Sequence, residues 1–106
     1  MDSMNGILKE ELSRLKEAEK SYRREIAKLP KGSFQEKKIK GIVYHYLVKS
    51  KASEIKYQYI GHWPSNKIEK IKKDMSLKKK YQAMLREVIK NKKRIMRIVR
   101  VRKRSV

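Results

Sequence analysis

The chain has 106 residues, 40% of them charged, and a formal net charge of +20. One small domain is expected from that length, with a modest core, because Leu, Ile, Val and Phe together supply 25 residues. Cysteine is absent, which excludes disulfides, and no apolar run approaches the roughly 20 residues that cross a bilayer. Met1-Asp2-Ser3-Met4 lacks the basic-then-apolar pattern of a secretory leader. The charge is uneven. Residues 1–29 carry +1, residues 30–64 carry +5, and residues 65–106 carry +14, with seventeen Lys/Arg against three Asp/Glu. A compact chain with that balance repels itself, and a polyanion relieves it.

Residues 7–29 read as an amphipathic helix. Leu8, Leu12, Leu15, Glu19, Tyr22, Ile26 and Leu29 recur at alternating steps of four and three, a heptad seam with one polar interruption at Glu19. Its outer faces mix signs, and the dipeptide Leu29-Pro30 stops it. The seam requires a partner, since an isolated helix of this length is marginal.

Pro30-Lys31-Gly32-Ser33 marks a turn, and alternation takes over from helical spacing. Strands are expected at 34–40, 42–49 and 54–60, joined by tight turns at Lys40-Gly41 and within Ser50–Ser53, as a three-stranded antiparallel meander. The lysine-rich first strand suits an edge. One face carries Ile42, Tyr44, Tyr46, Val48, Ile55, Tyr57 and Tyr59; the other carries Val43, His45, Leu47, Lys49, Lys56, Gln58 and Ile60. The tyrosine face is expected to pack beneath a helix with its hydroxyls at the rim; stacking of some rings on bases stays open as the alternative. The mixed face, with Lys38, His45, Lys56 and Gln58, is expected to be exposed and to orient a nucleic acid, because Gln and Lys can read base edges from a β-ribbon.

Three runs within this region, Leu29-Pro30-Lys31-Gly32-Ser33, Tyr44-His45-Tyr46-Leu47 and Tyr59-Ile60-Gly61, resemble an uncharacterised family of small bacterial and archaeal proteins. That resemblance implies a helix, a tyrosine-rich hairpin region and a second charged helix, and implies no activity. The hairpins are also similar, more loosely, to the arm-binding domain of phage and transposon integrases, which implies a sheet entering the DNA major groove. Those domains usually place Gly-Lys in the second hairpin turn, where this chain has Lys49-Ser50-Lys51-Ala52-Ser53.

Beyond Pro64 helical spacing returns, with Ser65 or Asn66 as a cap. Ile68, Ile71 and Met75 form one stripe; Leu77, Tyr81, Met84, Val88, Asn91, Ile95 and Ile98 form a second, out of phase with the first. A break near Asp74-Met75-Ser76 is expected, making 65–106 a broken basic helix and tail. Antiparallel pairing of the two long seams would set Leu29 near Leu77, Leu8 near Ile98, and Glu19 within reach of Lys92 or Arg94. From Lys90 to Arg104 nine of fifteen residues are basic: Lys90, Lys92, Lys93, Arg94, Arg97, Arg100, Arg102, Lys103 and Arg104. Arginine suits phosphate contact, and this run is the leading candidate to bind it. A solvated helix end and a basic membrane-surface or partner-binding helix are the competing readings.

His45 and His62 have no cluster of ligating residues around them, so no metal or other cofactor is expected. No nucleophile with a base and an oxyanion site is apparent, and the chain reads as a non-enzyme. The expected architecture is α+β: N-terminal helix, three-stranded meander and long basic C-terminal helix, the helices paired as an antiparallel coiled coil. The expected function is that of a nucleic-acid-binding accessory or regulatory protein, DNA ahead of RNA, of mobile-element origin among the contexts considered. Its expected place is the cytoplasm, on nucleoid or ribonucleoprotein, with no membrane partner. The alternatives are a small inhibitor or adaptor docking on a nucleic-acid-handling enzyme, as anti-CRISPR proteins do, and a structural component of a ribonucleoprotein. Oligomeric state stays open.

Overall fold

A computed structural model describes the backbone of residues 3–104 and the side chains of residues 6–100. The element order is α1 (Ser3–Lys28), β1 (Ser33–Ile39), β2 (Ile42–Lys51), β3 (Glu54–Tyr59) and α2 (Ser65–Arg104). The expected α+β architecture is present, with α1 packed against α2. The chain forms two compact units that share α2. One is α1 with the part of α2 from Lys80 onward; the other is Leu29–Lys79.

In the helical unit the seam on α1 falls where the heptad spacing puts it. Leu15 is buried, and Leu8, Leu12, Glu19, Tyr22 and Ile26 are half-buried. The tilted Tyr22 and Tyr81 rings lie 6.1 Å apart, and Lys92 Nζ donates to Glu19 Oε2 at 2.8 Å. The later α1 residue meets the earlier α2 residue, which is the antiparallel arrangement. Of the two partners expected for Glu19, Lys92 and Arg94, Lys92 is the one that meets it.

The seam on α2 differs from the expected one. Its half-buried and buried positions are Ile68, Ile71, Met75, Lys78, Gln82, Leu85, Ile89, Lys92, Met96 and Val99, an unbroken alternation of three and four. Helix α2 accordingly runs on through Asp74-Met75-Ser76 with no break. Leu77, Met84 and Ile98 are instead exposed, so the contacts foreseen at Leu77 and Ile98 are not the seam. Tyr81, Val88 and Ile95 flank it, half-buried. The physical reason is that Lys78, Gln82 and Lys92 occupy seam positions. Long side chains bury their stems along an apolar surface while their polar ends reach a partner. Lys78 Nζ donates to the carbonyls of Pro30 (3.0 Å) and Gly32 (3.3 Å), as Lys92 does to Glu19.

In the sheet unit the strands run antiparallel in the order β1-β2-β3. Both hairpins have two-residue loops, bounded by the pairs Ile39↔Ile42 and Lys51↔Glu54. Such loops match strand twist when both central residues have positive φ. The first is Lys40 (φ 51°) and Gly41 (φ 82°), a favourable choice at its second position; the second is Ala52 (φ 50°) and Ser53 (φ 66°), with no glycine. Gly32 enters the sheet at φ 97°, where a Cβ would sit 2.6 Å from the Val48 carbonyl oxygen, so glycine is required there.

The core of this unit is Leu47, Ile60, Ile71 and Met75, with Phe34 and Trp63 packed against it. Ile60 is fully enclosed, and its amide donates to the His45 carbonyl at 2.9 Å. Burial of such a side chain stabilises by about 2–3 kcal/mol. Phe34 pairs with Leu47 and Glu36 with His45, so these side chains share the face that the first part of α2 covers. This overturns the expected orientation of the sheet. The covered face is the one bearing His45 and Leu47; the tyrosine face is open. Ile42, Ile55, Tyr57 and Tyr59 are all exposed on it. The aliphatic residues Leu47 and Ile60 fit against Ile71 and Met75 without a hydroxyl to satisfy, whereas four adjacent tyrosines would each need a partner.

Candidate nucleic-acid interface

The sequence-predicted site residues fall on separate surfaces. On the sheet, Lys38, Lys56 and Gln58 are exposed. His45 is half-buried: its ring lies 5.5 Å from Phe34, and its Nε2 lies 3.7 Å from Glu36 Oε1. The same carboxylate oxygen accepts from Lys72 Nζ at 3.2 Å. His45 thus belongs to the junction between the sheet and α2 rather than to an open reading face. Lys56 and Gln58 line a groove of about 640 Å³ with Lys31, Lys49, Lys51 and Tyr57. Within it Lys49 lies directly opposite Lys56 across the β2–β3 pair, a like-charge placement that disfavours the sheet.

On α2, Lys90, Lys93, Arg94, Arg97 and Arg100 are exposed, and none has a carboxylate partner among the described residues. Their spacing puts Lys90, Arg94 and Arg97 on the outer side of the helix, while Lys93 and Arg100 flank the seam, where with Arg97 they border a groove shared with Lys92 and Met96. Ten residues at about 1.5 Å rise make this stripe about 15 Å long. That matches several phosphates at about 3.4 Å of axial rise per nucleotide of one strand. Lys92 is not free: it is half-buried and held by Glu19. The side chains of Arg102, Lys103 and Arg104 lie outside the described residues.

The carboxylates are placed differently. Glu11, Glu17, Glu19 and Glu25 on α1 pair with Arg14, Lys20, Arg23 and Lys28 of the same helix. The Arg14 guanidinium beside Glu11 holds that carboxyl below its ordinary range. Glu19 is held low as well, by Lys92 first and Arg23 second, against an opposing contribution from burial. Four acids of α1 pair with cations of α1, and Glu19 also holds Lys92, which leaves Lys90, Lys93, Arg94, Arg97 and Arg100 without a carboxylate among the described residues.

Spacing alone did not reveal the cationic tyrosine surface. Lys37 Nζ sits 4.2 Å from the Tyr57 ring centre and 5.5 Å from that of Tyr46, close enough for cation–π attraction. The available signal was alternation: Lys37, Tyr46 and Tyr57 are all on one face by register. Among the described residues no three His, Cys, Asp or Glu side chains gather as a metal site, and no helix is long and apolar enough to cross a membrane. No protein-family model, curated protein or solved structure matches the chain.

Proposed function

We propose that this protein binds nucleic acid through its phosphates, as a non-catalytic accessory or regulatory protein associated with nucleoid or ribonucleoprotein. The observation that carries this reading is the exposed cationic stripe of α2. Lys90, Lys93, Arg94, Arg97 and Arg100 stand exposed and unneutralised among the described residues, while the paired acids of α1 are taken up by cations of α1 and by Lys92. A row of cations along a helix gains affinity by releasing counterions from a phosphate backbone. Arginine adds paired donors that fit phosphate oxygens.

The test is the salt dependence of binding to a labelled DNA duplex and an RNA duplex of equal length. Five phosphate contacts correspond to a log–log slope of about −4.5 on B-DNA. Changing Arg94, Arg97 and Arg100 together to Gln should make that slope shallower by about 2 to 3 and weaken binding to every sequence alike. These substitutions leave the Lys92–Glu19 contact in place, which truncation from residue 92 would remove. A salt-independent affinity, or one unchanged in the triple variant, defeats the proposal.

A further inference from the structure

We propose that the open tyrosine face of the sheet is a stacking platform for unpaired bases, which makes single-stranded nucleic acid a ligand of the sheet unit. The inference rests on the nucleic-acid reading above and adds a site to it. Tyr44, Tyr46, Tyr57 and Tyr59 form a continuous patch. Tyr46 is the cross-strand partner of Tyr59, and neighbouring ring centres are 5.6–6.4 Å apart. Tyr57 is 51% exposed and Tyr59 44% exposed, while Tyr44 and Tyr46 are half-buried behind them. Aromatic area of this extent, left uncovered within its own unit, is matched by a partner with flat apolar faces.

The charge around the patch identifies that partner. Residues 37–60 contain six lysines and a single carboxylate, Glu54. By register Lys37 is on the tyrosine face, where its Nζ sits over the Tyr57 ring and no strand carboxylate lies beside it; Lys49 and Lys56 are on the opposite face and meet Tyr57 only in the groove that all three line. A second copy of the chain would bring lysines against lysines. An acidic protein would satisfy the lysines and leave the rings without flat partners. A strand of unpaired nucleotides satisfies both, with bases on the rings and phosphates at Lys37 and at the lysines of the groove that Tyr57 lines. A duplex does not, because its bases are already stacked and only their edges reach the grooves. The Tyr59 ring folds over Gly61, where any Cβ would collide with it, and stacks against His62 at 6.1 Å, so a base can stack only on ring surface that these two residues leave open.

Two oligomers of about twelve nucleotides, a typical site size, separate base stacking from phosphate contact. One is oligo-dT; the other has the same phosphates and abasic sugars. Oligo-U replaces oligo-dT in a parallel arm that compares RNA with DNA. By fluorescence anisotropy the wild type should prefer the base-bearing strand at least tenfold. The double variant Tyr57→Leu/Tyr59→Leu, which keeps apolar side chains on the sheet, should bring that ratio close to one. The Arg94, Arg97 and Arg100 glutamine variant should lower both affinities and keep the ratio. Circular dichroism confirms that each variant is folded. Equal binding of the two oligomers by the wild type overturns the platform and leaves the phosphate reading standing. Binding of neither oligomer and no duplex overturns both. Self-association that the tyrosine substitutions abolish, without base preference, reassigns the face to a second copy and also overturns the proposal.

Discussion

Replacing Glu19 by glutamine, Lys92 by methionine, and both together, tests what joins α1 to α2. The Glu19 side chain is 17% exposed and that of Lys92 24% exposed, with 2.8 Å between their polar atoms. Such a pair is more shielded than surface ion pairs worth about 0.2–1 kcal/mol, and hydrogen bonds to charged groups contribute about 1.5–3 kcal/mol. A coupling energy of about 1–2 kcal/mol is therefore expected from the double-mutant cycle, measured by urea or thermal unfolding at neutral pH. In a chain of this size each kcal/mol moves the midpoint by about 4–8 °C. The pH dependence has a definite sign. Lys92 and Arg23 depress the Glu19 carboxyl, so its contribution is present in full above the unfolded value of about 4.3. The contribution is lost as pH falls through the lower folded value. The coupling should thus shrink well below pH 4. Leucine at both positions should be neutral or stabilising, since an apolar pair in a seam avoids the desolvation cost. A coupling under about 0.3 kcal/mol at neutral pH, or one that persists in acid, refutes this account of the contact.

Three further outcomes follow from the sheet unit. Changing Ala52-Ser53 to Asn-Gly should raise stability by about 1 kcal/mol, because both positions have positive φ and neither present residue favours it; a lowered melting temperature would contradict the turn geometry. Ile60→Ala should cost about 2–5 kcal/mol and release Trp63 fluorescence toward a water-exposed spectrum, which unchanged emission would disprove. Lys78→Met keeps the buried stem but removes the donor to Pro30 and Gly32; a loss of about 1 kcal/mol in chemical denaturation is expected, and none would show those contacts to be idle.

Much of the fold was legible because its periods are clean. Leu8, Leu12, Leu15, Tyr22 and Ile26 define one helical seam without ambiguity, and Glu19 inside it pointed to a cation on the partner. The strand limits differ from expectation by one or two residues, since Pro30, Gly32, Gly41 and Gly61 punctuate the region. Two features were not legible. Lys78, Gln82 and Lys92 read as polar, so the continuous stripe on α2 resembled two stripes out of phase; their half-burial depends on contacts that spacing does not encode. The tyrosine face is the one expected beneath a helix, yet burial follows Phe34, Leu47 and Ile60, which complement Ile71 and Met75. At the candidate site, the exposed stripe from Lys90 to Arg100 was visible in composition, whereas the diversion of Lys92 to Glu19 and the half-burial of His45 against Phe34 required tertiary structure.

The third strand is fastened unequally at its two ends. At the far end Ile60 is enclosed and hydrogen-bonded to His45, while at the near end the chain turns through Ala52 and Ser53, and every residue from Glu54 to Tyr59 is exposed. Local opening therefore begins at the turn and travels toward Ile60 like a zipper. Backbone amide exchange should be quickest near Glu54 and Ile55 and slowest at Ile60. Opening reaches Tyr57 before Tyr59, so the two rings differ in how long they stay seated on the sheet. The edge of the tyrosine patch is thus an adjustable margin, set by how far β3 is closed.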